Sequence, residues 1–304
     1  MNNLFLSKLI DENSYNVLYK KLIKLYNSDN KENLINMMYD NIYNIIEYLI
    51  KIISNREIKE KYNLYYCIRE GGKNDNNNLL SLYQHIVLHL INNISDRKLK
   101  EVDELKNPST NIIYNLLICD TEIKRKLFLL YVVMYYIESM ICFSIYSDEN
   151  INNKMYVGID YEFNNRKIAL MQINYERLSS KKTSTSSHIF IINPGEFDKK
   201  ESDILIKYLM RCRYLDKILH GCDSLDLPYM YDILFNSDKE IIKDFTSTVY
   251  DTRFFCEYYK NTVNEEKKCS IYDALKYFDV INENKYDELN NTHDYMGPVQ
   301  DINW

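Results

Sequence analysis

The hydrophobic period of this chain changes near residue 150, and that change limits the architectures open to it. Upstream, apolar residues recur every three to four positions. In "KENLINMMYDNIYNIIEYLIKIIS" (Lys31–Ser54), Leu34, Met37, Met38, Ile42, Ile45, Ile46 and Leu49 share one helical face. "NNLLSLYQHIVLHLINNI" and "TEIKRKLFLLYVVMYYIESMICFSIY" keep the same spacing. Downstream come short β-rich runs: "MYVGIDYEF", "KIALMQINY", "HIFIINP", "DKILHG" and "STVYDT". Helical segments alternate with the later ones. The pattern predicts an all-α domain over residues 1–147, a linker at Tyr146–Lys154, and an α/β domain over residues 148–304. That second domain should be a mixed sheet with flanking helices. Its first three strands are close enough for an antiparallel meander; the later ones suggest parallel additions. "GGKNDNNN" (Gly71–Asn78) reads as a loop.

Composition narrows the function classes. With 304 residues, 46% of them hydrophobic, the chain can bury two cores. A net charge of −6 excludes a globally basic nucleic-acid binder. A polyanion would have to be gripped by local patches or through metal ions. The wealth of Asn, Ile, Lys and Tyr, with 29 Tyr, fits an AT-rich coding sequence such as that of a large DNA virus or a protist. The seven cysteines form no C-x-x-C pair, and "MNNLFLSKLI" lacks a signal-peptide pattern. They are expected to be reduced thiols in an intracellular protein, cytoplasmic or nuclear. The longest apolar run, Leu127–Ile137, is eleven residues and is followed by Glu138, which predicts a buried core helix and no membrane span.

The chemistry concentrates in two stretches. In "YVGIDYEF" (Tyr156–Phe163), Val157, Ile159, Tyr161 and Phe163 alternate with Gly158, Asp160 and Glu162. On a strand, Asp160 and Glu162 share one face about 7 Å apart. An edge strand with one solvated face would read the same way. In "KILHGCDSLDLPYMYDILF" (Lys217–Phe235), a strand ends at His220–Gly221, Asp223 and Asp226 follow, and a helix begins. Asp223 could simply cap that helix. Asp226, in the first helical turn before Leu227 and Pro228, can face Asp160 and Glu162. Three converging carboxylates cannot comfortably all ionise without cations. Hard oxygen ligands of this kind suit Mg²⁺ or Mn²⁺. Two such ions, about 3.5–4 Å apart, can activate water against a phosphodiester.

Taken in order, Asp160-x-Glu162, "IALMQI", "HGCDSLD" and "VYDT" resemble the DEDD family of 3′–5′ exonucleases, nearest to the ribonuclease D branch, over about residues 155–304. The resemblance implies a ribonuclease H-like fold, two divalent ions, and release of nucleoside monophosphates from RNA or DNA 3′ ends, RNA ahead of DNA. It implies that Asp160 and Glu162 are metal ligands and Asp226 the third carboxylate. Asp223 stays open for that role, because the family places its acid five residues after the His and these two lie at three and six. Asp251 of "VYDT" would be structural. His220, with Lys181 and Lys182 of "SSKKTSTSS" (Ser179–Ser187), is expected against substrate. Lys199, Lys200, Arg211 and Arg213 are further basic candidates. The family completes its site with a Tyr or His four residues before a final Asp, and none follows Asp226 in this sequence. A second reading therefore stays open: a catalytically inactive exonuclease-like scaffold or nucleic-acid-binding module. The helical half carries no motif and would serve a protein partner or self-association. His85 and His89, one helical turn apart, have zinc-pair spacing but no third ligand in sight. No Walker, G-x-G-x-x-G or G-x-S-x-G sequence occurs.

Overall fold

Alternation of buried and open side chains along residues 155–164 sets the centre of the sheet. The computed structural model describes residues 12–28, 30–54, 79–100, 113–146, 155–165, 167–177, 186–261 and 269–295. Their strands are β1 (Arg97–Lys100), β2 (Ile113–Ile118), β3 (Met155–Asn164), β4 (Lys167–Arg177), β5 (Ser186–Ile192), β6 (Leu215–Leu219) and β7 (Val249–Asp251). They form one mixed sheet in the order β1-β2-β5-β4-β3-β6-β7. Strands β3, β4 and β5 are the expected antiparallel meander. The β2–β5 and β6–β7 pairs are parallel. In β3, Val157, Ile159 and Tyr161 are buried, while Asp160 and Glu162 stay open to solvent on the other face. The register of β3 against β4 shifts between Glu162 and Phe163. Such a bulge re-aims the side chains beside it.

The described residues divide into two compact units, and neither is one continuous stretch. One draws on Met1–Ser95, Cys119–Met155 and Lys199–Leu209; the other draws on Asp96–Ile118, Tyr156–Asp198 and Met210–Trp304. The first unit is helical: α1 (Glu12–Asn27), α2 (Lys31–Asp40), α3 (Ile42–Ser54), α4 (Leu79–Ile94), α5 (Glu122–Tyr146) and α6 (Lys199–Leu205). Helices α2, α3, α4 and α6 all pack on α5. Every residue of α5 from Leu127 to Tyr135 is buried. Its Glu122–Phe143 stretch is long and apolar enough to cross a membrane, with mean hydropathy 1.6, yet 72% of its most apolar window is buried inside the protein. It is the core helix that the Leu127–Ile137 run predicts, extended by amphipathic turns at both ends. The hydroxyl of Tyr83 on α4 donates to the Leu130 carbonyl at 2.8 Å, and Gln84 donates to Glu138 at 2.7 Å. These bonds satisfy polar groups that burial would otherwise penalise.

The expectation that residues 1–147 are purely helical is corrected. β1 and β2 come from that half and extend the sheet from its β5 edge. "IYNLLI" is a six-residue apolar run that periodicity alone cannot tell from a piece of buried helix; pairing with β5 decides it. Likewise α6 falls in the helical unit rather than beside the sheet. The proposed loop Gly71–Asn78 and residues 147–154 of the linker lie outside the described residues.

In the second unit, α7 (Asp226–Tyr229) continues as a π-helical turn over Met230–Leu234, and α8 (Lys239–Thr246), α9 (Thr252–Lys260), α10 (Ile271–Tyr277) and α11 (Glu283–Tyr295) follow. Local chemistry fixes their starts. Asp238 caps α8, Asp251 caps α9, and Ser270 with Asp273 forms a capping box on α10. A disulfide joins Cys256 of α9 to Cys269, just before α10. The expectation of uniformly reduced thiols is thereby corrected: helix pairing brings together two cysteines thirteen residues apart. Cys119, Cys142, Cys212 and Cys222 take part in no disulfide among the described residues.

Lys217 on β6 is fully buried. Its ammonium donates to the Cys212 carbonyl at 2.6 Å and to the Thr248 hydroxyl at 2.7 Å, tying both ends of the β6–β7 segment. Lys217→Ala removes both bonds and leaves a void, and should cost about 3 kcal/mol in urea denaturation.

Candidate functional site

One strand and one helix start supply the acids. Asp160 and Glu162 project from the open face of β3, and Asp226 opens α7 where the chain leaves β6. Phe163 of β3 packs on Tyr229 of α7 with ring centroids 5.0 Å apart, which holds the start of α7 against the end of β3. The three acids feel one another. Asp226 is pushed up to about 7, first by burial and then by the charges of Asp160, Asp251 and Glu162. Glu162 is raised by burial and by Asp160. Asp160 is raised by burial, partly offset by the Tyr161 backbone N–H and by His220. Beneath them, the buried hydroxyl of Tyr161 has no hydrogen-bond partner among the described residues. Burial and then Asp226 raise its pKa well above the ordinary tyrosine value.

Asp223 takes a different role. It pairs with the Arg253 guanidinium at 2.8 Å and so does not add to the mutual repulsion of the other three. Asp251 is structural, as the sequence suggests. Its carboxylate accepts the backbone N–H groups of Gly221 and Cys222 at 2.9 Å each and of Arg253 at 2.8 Å. Those bonds hold its pKa below the ordinary carboxylate value despite burial. Gly221, at φ +68°, is the residue type that this tight turn requires.

His220 lines the cavity beside Asp160, with both ring nitrogens engaged by protein: its Nδ1 meets the Thr252 hydroxyl at 2.8 Å and its Nε2 the Cys269 carbonyl at 3.0 Å. Burial lowers its pKa, so the neutral ring is favoured, with Nε2 as the donor to Cys269. His220 is a tether between β6, α9 and the start of α10. Lys181 and Lys182 lie outside the described residues. Lys200 sits over the Tyr39 ring in the helical unit, Arg211 grips Asp244, and Arg213 leans on Tyr214. His85 and His89 stack in the helical unit, with the Tyr26 hydroxyl 2.9 Å from His85 Nε2.

Beside Asp160 opens a cavity of about 750 Å³. Asp160, Gln172 and Asn174 floor it from the sheet, and Phe255, Tyr259 and Phe278 wall it from α9 and the end of α10. Its size and its few convergent polar groups suit a small organic group. Sequence inspection missed Arg253, which clamps Asp223 and the Gly221 turn, and the Cys256–Cys269 bond. "VYDTR" carried the signal for Arg253 only once β7 and the His220–Cys222 turn were known to be neighbours.

The donor chemistry fits Mg²⁺ or Mn²⁺: hard oxygen donors whose mutual repulsion a cation relieves. Among the described residues, no three His, Cys, Asp or Glu side chains form a ready-made group that could hold a metal ion. That is compatible with Mg²⁺, which keeps several waters and relies on one or two carboxylates plus substrate phosphates.

Comparison with known proteins gives a giant-virus relative whose function is uncharacterized. The chain is 36% identical over 211 residues to an uncharacterized protein of Acanthamoeba polyphaga mimivirus, covering 66% of this chain. It spans 39% of that relative's length. A giant-virus relative fits the AT-rich composition. No family model matches. No solved structure matches either.

The raised pKa of Asp226 carries a sign. The folded chain holds that proton more tightly than the unfolded chain, so this group weakens the fold as pH rises from about 4 through 7. In EDTA, Asp226→Asn should raise the melting temperature at pH 8 and leave it unchanged at pH 4, as differential scanning fluorimetry will show.

Proposed function

We propose that this protein is a metal-dependent 3′–5′ exonuclease of the DEDD type, acting on RNA ahead of DNA. The observation that carries the reading is geometric: Asp160 and Glu162 share the open face of β3, and the Phe163–Tyr229 ring contact, centroids 5.0 Å apart, packs α7, which Asp226 opens, against that strand. Burial raises the pKa of all three acids, and acidic neighbours add to the rise at Glu162 and Asp226. The strand order supports it as well. An antiparallel meander, with β6 and β7 added beside its first strand, is the arrangement expected of a ribonuclease H-like sheet.

Asp160, Glu162 and Asp226 would hold Mg²⁺ or Mn²⁺; two such ions supply an activated water and stabilise the leaving oxygen of the phosphodiester. The protein's own groups do the rest. Asp226, its pKa pushed up to about 7 by burial and by its acidic neighbours, would be one of the carboxylates that a cation favours in the ionised form. The Phe255, Tyr259 and Phe278 rings offer stacking surfaces to a terminal base. The Gln172 and Asn174 amides offer hydrogen bonds beside Asp160. Asp251 and Arg253 hold the His220–Cys222 turn, and thereby fix where α7 begins. The partners of this reading are nucleic-acid 3′ ends, with the helical unit free to bind a protein or a second copy. Its setting is the cytoplasm or nucleus.

The second reading, an exonuclease-like scaffold without catalysis, rests on one observation: among the described residues no three His, Cys, Asp or Glu side chains form a ready-made metal group. Incubation of 5′-labelled single-stranded RNA and DNA with Mn²⁺ decides between them. The nuclease reading expects a ladder shortening from the 3′ end, lost in EDTA and reduced about a hundredfold or more in Asp160→Ala. Metal-dependent binding without any shortening would establish the scaffold.

A further inference from the structure

The Cys256–Cys269 bond lies one residue contact away from the candidate site. Cys269 spends both of its backbone groups on residues that organise that site. Its carbonyl accepts from His220 Nε2 at 3.0 Å, and its N–H donates to Glu257 Oε1 at 3.3 Å. Glu257 in turn stands 3.5 Å from the Arg253 guanidinium, which holds Asp223 at 2.8 Å. His220 begins the turn that Asp251 pins and that ends in Asp226. The disulfide is thus the covalent fastening of the residue on which His220 is anchored. Both sulfurs are sequestered, with Cys256 at 0% and Cys269 at 4% exposure, so exchange with an external thiol proceeds through local opening of the α9–α10 pair.

We propose that Cys256 and Cys269 form a redox modification site whose oxidation state sets the anchoring of His220, and through it the order of the loop carrying Asp226. In the reducing direction, a thiolate of an external dithiol attacks one sulfur. Two electrons enter and the S–S bond breaks. Cys256 and Cys269 leave as thiols after taking up two protons, and the dithiol closes to its own disulfide. Residue 269 is then held by hydrogen bonds alone, and the Cys269 carbonyl loses its fixed distance from His220. The bonded form is the ordered one. The effect on the anchor stands independently of the chemistry of the site; its effect on turnover rests on the nuclease reading.

The test uses the full chain labelled with ¹⁵N-histidine and purified without reductant. Non-reducing peptide mapping should show the peptide of Cys256 linked to that of Cys269. Long-range ¹H–¹⁵N spectra should show His220, assigned by its loss in His220→Gln, as the Nε2–H tautomer. Dithiothreitol should remove the link and convert His220 to a tautomer mixture. Cys256→Ser should give that second spectrum without reductant, and dithiothreitol should then add nothing. If the chain degrades RNA, reduction should slow it about fivefold or more. Absence of the linked peptide overturns the proposal, and so does a His220 spectrum that reduction leaves unchanged. A changed His220 spectrum in a chain with no nuclease activity upholds this proposal and sinks the nuclease reading instead.

Discussion

The carboxylate of Asp251 is the interaction on which the second unit depends. It ends β7, caps α9, and accepts three backbone N–H groups, two of them from the turn that ends β6. A single ionised side chain thereby joins two parallel strands and a helix at the point where their backbones run out of ladder partners. Charge-assisted bonds of this kind are about twice as strong as neutral ones. Arg253, the second residue of the capped helix, adds a guanidinium over the same turn and neutralises Asp223. The placement of Asp226 follows from this: a helix can begin opposite β3 only where the preceding turn is held.

Against that fixed frame, Asp160, Glu162 and Asp226 are an unresolved electrostatic cost. Each raises the pKa of a neighbour, and burial with the charges of Asp226 and Asp160 keeps the Tyr161 hydroxyl un-ionised beside them. The fold spends stability here, as proteins commonly do where a cation or a substrate is meant to repay it. The contrast with Asp251 is one of partners: it accepts three backbone N–H groups and its pKa falls, whereas burial and acidic neighbours dominate at Glu162 and Asp226 and their pKa values rise.

Much of this was legible from residue order. The alternation in "YVGIDYEF" specified which side chains of β3 are buried, because a strand has a period of two and one face must leave water. The helix start at Asp226 was readable because first turns are local, whereas the structural role of Asp251 was implied only by the family resemblance, since two of its three backbone partners lie about thirty residues away. The position of His220 beside Gly221 was visible, but its partners, Thr252 and Cys269, lie 32 and 49 residues away. β2 escaped notice because "IYNLLI" is a short, largely apolar run that reads equally as buried helix, and its pairing with β5 decides it; β1 follows only as its partner.

What the sequence determined by itself is therefore local: the change of period, the faces of β3, the helix caps, and the chemical type of the acids. Tertiary structure alone decided which of those pieces meet. It took β1 and β2 into the sheet, paired Asp223 with Arg253 and left Asp226 among the acids, bonded His220 to Thr252 and Cys269, and joined Cys256 to Cys269. The reason is physical. Local preferences are set by sterics and hydrogen bonds within a few residues, whereas these contacts form between segments brought together by burial of apolar faces, and a one-dimensional pattern does not carry that distance.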